Sequence, residues 1–129
     1  MNEAQRLKKG KLKMIRTEMG LFDFAVITIF GDYKETCKFV AWKFDDEKTD
    51  FTKFDHDYIP RGKCFFRKGY IPCIWVPKKP RTAKEHATFA HECLHATFKL
   101  FEWAGININD ETEEVTTHAM AHIIYNSLK

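Results

Sequence analysis

The stretch richest in chemistry is FAHECLHATF, residues 89–98, where His91 and His95 stand four apart and Glu92 follows the first histidine directly. On a helix, positions i and i+4 stack on one face, so the two imidazoles would lie side by side at a separation a tetrahedral metal accepts. Two imidazoles suit Zn²⁺. The intervening carboxylate would sit close enough to hydrogen-bond a zinc-bound water and act as its general base. The metal lowers the pKa of such a water toward ~7 and so provides a nucleophile at neutral pH. The competing reading is a helix that happens to carry two histidines. This chain's own His and Glu frequencies give the pattern by chance at roughly two per cent, which favours the metal.

The motif needs a helix to display it, and the flanking residues supply one. Thr82 followed three residues later by Glu85 forms a capping box, and Gly105 suits the left-handed position after a last turn. These signals bracket a helix over 83–104, with Ala87, Ala90, Leu94, Phe98 and Phe101 among its apolar positions. His86 lies ~140° from His91 on that helix and points elsewhere, while Cys93 lies ~200° away and reads as a buried thiol. A second helix, capped by Asn109 or Asp110, should run to about Ser127.

A closed site needs a third protein ligand, and Glu111, Glu113, Glu114, His118 and His122 are the candidates on that second helix. Four of them fall in a stripe about 80° wide, whereas Glu113 lies on another face, three residues after Asp110, where a capping box expects it. Glu113 is therefore structural. Glu114, nineteen residues after His95, leaves room for the first helix to end at Gly105 and the second to return antiparallel. It is the expected third ligand, with His118 one turn along as its rival. If Glu114 binds the metal, His118 becomes an outer partner or a transition-state donor, counted here with Glu92 as catalytic. His122 and Tyr125 read as packing or surface residues.

Before the motif the pattern is strand-like. LFDFAVITIFG and TCKFVAWKF look like two strands separated by a Gly31-Asp32 turn, and KCFFRKGYIPCIWVP looks like two short strands around Gly69. Pro72 argues that the second of those is an edge strand. The organisation is a single α+β domain over 1–129, an N-terminal twisted sheet packed on two C-terminal antiparallel helices.

The motif and its following glutamate helix resemble the gluzincin-type zincin metallopeptidases. More narrowly, TFAHECLHATFKLFEWAGI and DETEEV resemble the small HExxH proteins encoded by bacteriophages, over roughly residues 70–125. The resemblance implies a minimal zincin-like domain in which an edge strand above the metal helix binds an extended peptide. YIPCIWVP is then the edge-strand candidate and Trp75 a packing residue. Two departures stand out: no Gly-x-x-His follows the motif, and His118 occupies the place of a frequent Asp. The SprT-like proteases, which use a third histidine and work near DNA, are the second family resemblance.

Composition sets the outer limits. At 129 residues, 44% hydrophobic and with a net charge of +3, the chain folds around one modest core and has no strong charge bias toward any partner. The first sixteen residues hold six Lys/Arg against one Glu, which reads as a solvated arm or irregular strand, or else a nucleic-acid contact. No apolar stretch is long enough to span a bilayer, and no export signal precedes the four cysteines, so free thiols in a cytoplasm (a host's, if phage-encoded) are expected. Cys64 and Cys73 could face each other across a hairpin. His56, between Asp55 and Asp57, reads as a solvated loop residue. Three functions fit: a zinc metallopeptidase acting on a peptide or protein, a SprT-like nucleic-acid-associated protease, and a zinc-stabilised binding module without activity that acts on a host factor.

Overall fold

The computed structural model describes residues 1–20, 24–52 and 60–129. His56 and the start of the LFDF segment lie outside the described residues. The element order is α1 (Glu3–Gly10), β1 (Lys13–Glu18), β2 (Ala25–Phe30), α2 (Tyr33–Lys43), β3 (Lys63–Phe65), β4 (Cys73–Val76), α3 (Ala83–Ala104) and α4 (Glu113–Leu128). The class is α+β. Four strands form one mixed sheet in the order β1-β2-β4-β3, with β2 parallel to β4 and both outer strands antiparallel to their neighbours.

Every residue of β2 and β4 is buried, because helices cover both faces of these two inner strands. Side chains alternate between the faces. Ile27, Ile29, Cys73 and Trp75 pack with Tyr33, Cys37 and Val40 of α2 and with Phe44 just after it. Val26, Phe30, Ile74 and Val76 pack with Phe89, Cys93, Ala96 and Leu100 of α3 and Ile123 of α4. The two C-terminal helices thus share one face of the sheet, as the sequence indicates, and α2 takes the other.

That second helical layer corrects the strand expected from TCKFVAWKF. Asp32 caps α2, its carboxylate accepting the Glu35 amide at 3.0 Å, and Tyr33, Thr36, Cys37 and Val40 are buried at helical spacing. The basic N-terminus is also ordered and not a frayed arm. Asn2 and Gln5 form a capping box on α1, the Arg6 guanidinium lies 4.6 Å over the Trp42 ring, and Lys43 pairs with Glu3. Lys13 to Glu18 continue as an edge strand.

Two further expectations are overturned in the sheet. β4 is an inner strand: Pro72 sits just before it and offers only its carbonyl, which accepts the Ile27 amide at 3.0 Å. The missing proline N–H therefore costs no ladder bond. Cys64 and Cys73 cannot face each other, since Cys64 is opposite Ile74 and Cys73 is opposite Phe65, which puts the two thiols on opposite faces. All four cysteines are free.

Helix α3 spans 83–104 as its signals indicate. The Thr82 hydroxyl accepts the Glu85 amide at 3.1 Å, the Glu85 carboxylate accepts the Thr82 amide at 3.2 Å, and Gly105 closes the helix at φ 73°. Helix α4 starts later than expected. Thr112 precedes it without a side-chain cap, and Glu113 is its first residue, not a capping-box partner. Asn109 spends its side chain on the turn before, accepting the Glu111 and Thr112 amides at 2.9 and 3.1 Å. Among the described residues no helix is long and apolar enough to cross a membrane.

Candidate metal centre

The imidazoles of His91 and His95 project from the exposed side of α3, with their Nε2 atoms 3.1 Å apart and their rings at 82°. Two nitrogens at tetrahedral positions around one zinc stand about 3.3 Å apart. The spacing of this pair is thus close to that of two ligands of one ion. A single N–H donated from one ring to the other gives the same separation in the metal-free chain. Glu92 completes the group: ligand atoms of all three residues lie within 4.8 Å of one another, and among the described residues this is the one such cluster of His, Cys, Asp and Glu.

Glu92 differs from the histidines in being 6% exposed. Its position on α3 lies between the buried face and the histidine face, and there it meets Gly62, the residue leading into β3. A Cβ at position 62 would come within 2.9 Å of Thr88 Cγ2, 3.1 Å of Glu92 Cγ and 3.3 Å of Val76 Cγ1. The absence of a side chain is what lets the edge strand approach the motif helix this closely. Gly62→Val is expected to push β3 off α3, at a cost of about 1–3 kcal/mol in chemical denaturation.

Burial pushes the Glu92 carboxyl above its ordinary value of 4.5, against the opposing pull of His91, His95 and then Lys63. A carboxyl whose pKa is raised by folding favours the folded state in its protonated form. Its contribution is therefore full at low pH and is lost as pH rises through the raised value. The metal-free chain should lose stability over that interval, and Glu92→Gln should flatten the loss and raise stability at pH 7. Urea denaturation of both proteins across pH 4–8 checks this. A buried carboxylate that costs stability beside two imidazoles is what catalytic sites tend to hold.

The thiols do not compete for the metal. Burial raises Cys37 to about 11 and Cys64 to about 12, and Cys73 and Cys93 are raised by burial as well. Raised values disfavour the thiolate, which is the ligand form, and among the described residues no cysteine belongs to a group that could hold a metal. Cys93, fully buried, faces the core, as its position on the helix implies.

The second set of expected residues does not join this centre. Glu114 and His118 pair with each other, Oε1 to Nε2 at 3.0 Å, on the exposed side of α4. Helical phase gathers them in one stripe, but that stripe is solvent-exposed, and among the described residues neither belongs to the His91–Glu92–His95 group. His95 lies nine residues before the end of α3, about 14 Å by helical rise, and Glu114 is in the first turn of α4, beyond a connector of eight residues. His118 accordingly lines a groove with Phe101, Ala104 and Ile106. His122 is structural: its Nε2 donates to the Glu18 carbonyl at 2.8 Å and ties α4 to β1. Tyr125 is 67% exposed, and His86 is on the surface of α3. Trp75, 2% exposed, packs in the core and donates its indole N–H to the Gly31 carbonyl at 2.9 Å. Sequence reasoning did not find Gly62, although a glycine just before a short strand was the available signal.

Two convergent imidazoles beside a buried carboxylate define a candidate metal centre on a helix under a sheet edge. Comparisons with protein-family models, curated proteins and solved structures found no match to this chain.

Proposed function

We propose that the chain is a zinc-dependent metallopeptidase of the zincin kind, with His91 and His95 as metal ligands and Glu92 as general base. The observation that carries this reading is the 3.1 Å convergence of the two imidazole nitrogens next to a carboxylate that is otherwise costly to bury. Zinc held there would act as a Lewis acid and bring the pKa of a water toward ~7.

The chain's own residues divide the remaining work. Glu92 accepts the proton that leaves the attacking water and returns it to the amine nitrogen as the amide C–N bond breaks, so hydrolysis balances without another reactant. Because Gly62 packs on Glu92, the strand that follows it, β3, passes beside the motif. Among the described residues β3 is an outer strand of the sheet, so its outward side can take an extended peptide as an added strand. This edge replaces YIPCIWVP, whose strand is internal. A site this open suits an unfolded or flexible polypeptide.

Glu114 is left out of the ligand set because it pairs with His118 and lies outside the His91–Glu92–His95 group. Glu114→Ala is expected to keep its zinc, as measured by elemental mass spectrometry after dialysis. Four free cysteines with raised pKa values accord with a reducing cytoplasm, which completes the reading. Zinc-loaded protein incubated with a mixture of unstructured peptides should give new termini by mass spectrometry, and a zinc chelator should stop their appearance. Cleavage that persists in excess chelator would contradict the proposal.

A further inference from the structure

A second feature of the fold owes nothing to the histidines. The parallel strands β2 and β4 are neighbours, and the chain leaves them in opposite directions, β2 into α2 on one face and β4 toward α3 on the other. In open sheets, a crevice at the carboxyl ends of two such strands is where ligands bind. A cavity of about 780 Å³ lies there, within the size range of small-molecule sites.

Its lining combines an apolar wall with an excess of cations. Tyr33, Trp75, Pro77 and Pro80 contribute to the wall, and the Tyr33 and Trp75 rings are fixed against each other at 4.8 Å. Lys34, Arg61, Lys78 and Lys84 come from four separate segments: the first turn of α2, the approach to β3, the exit of β4 and the first turn of α3. Two carboxylates also line the crevice, and both are engaged as caps. Asp32 accepts the Glu35 amide, while Glu85 accepts the Arg81 and Thr82 amides and lies 3.6 Å from Lys78. Among the described residues Lys34, Arg61 and Lys84 make no ion pair. Four cations and two anions leave the lining with a formal excess of +2. The caps take one N-terminal amide of each helix, that of Glu35 in α2 and that of Glu85 in α3, and the cationic side chains supply the net positive charge.

We propose that this crevice binds a small phosphorylated ligand of nucleotide size, with its phosphates between Lys34, Arg61 and Lys84 and its organic body against the Tyr33–Trp75–Pro77 wall. Phosphate, not a lone carboxylate, suits three cations that line one crevice, and the apolar wall gives the rest of such a molecule a place to dry. The site does not depend on the metal reading.

Calorimetric titration of the full chain with ADP and with pyrophosphate, at low and at physiological salt, tests the proposal. One ADP should bind per chain, more tightly than pyrophosphate. The double variant Lys34→Gln/Lys84→Gln should weaken ADP by about tenfold or more, and Arg61→Gln should act in the same direction. Lys68→Gln, in the turn at the other end of β4, should change affinity by less than about twofold. His95→Ala should bind ADP as wild type does, since loss there would put the phosphates on the metal centre and overturn the assignment. No binding at millimolar ADP would overturn it too, as would equal weakening by Lys68→Gln. Displacement of ADP by a tighter-binding hexaglutamate peptide would assign the crevice to acidic polypeptide and reject the small ligand.

Discussion

Glu92→Gln is expected to slow peptide cleavage by about 10²–10⁴-fold while zinc stays bound at the wild-type level. The amide has nearly the shape of the carboxylate and fills the same place between Gly62, Thr88 and the histidine face. It cannot accept a proton from the attacking water. Loss of rate with retained metal therefore isolates the base from the ligands. A binding module that uses zinc only for stability predicts the opposite pattern, with unchanged partner binding in this variant and no cleavage in either protein. A protease that works near nucleic acid predicts the same rate loss together with salt-sensitive DNA binding that depends on the N-terminal basic residues. Those residues sit on an ordered helix and strand, so they are best changed singly, Lys8 or Lys9 to Gln, and not removed.

Zinc should also stabilise the folded chain, and the histidines should account for all of that gain. A ligand that binds only the native state adds about 2.7 kcal/mol at a hundredfold excess over its Kd, which for a chain of this length is about 10 °C in midpoint. Wild type in excess zinc should show such a rise in thermal unfolding and lose it in chelator. His91→Ala should unfold at one temperature in both. Among the described residues no other group of His, Cys, Asp and Glu is placed to hold a zinc that would mask the result. A rise of equal size in His91→Ala would mean that the metal binds elsewhere.

The motif helix was legible in the sequence because its signals are local. Thr82, Glu85 and Gly105 fix its ends through hydrogen bonds made within four residues, and the i, i+4 spacing fixes which way His91 and His95 point. Features that depend on the rest of the fold were less legible. TCKFVAWKF fits a period of two as well as a helix, and the choice was made by Asp32, which reads as a turn residue but caps α2. The edge strand β1 is hard to see because only Thr17 of its six residues is fully buried, so lysine and arginine dominate its pattern. Pro72 suggested an edge, yet it lies one residue outside β4. Glu114 shows the same limit in the site itself. Helical phase gives the face of a residue, whereas its height opposite another helix depends on where the connector ends. Asn109 and Thr112 consume the connector in a turn, which delays α4 to Glu113, and Glu114 pairs with His118 on its exposed side.

The central claim is that His91 and His95 hold a metal. Elemental mass spectrometry of purified wild type and His95→Ala, both washed in mild chelator and then dialysed against trace zinc, tests it most directly. Near one zinc per wild-type chain and almost none in the variant is the expected result. Equal metal in both proteins, or none in either, would contradict the account and leave the pair as two neighbouring histidines on a helix.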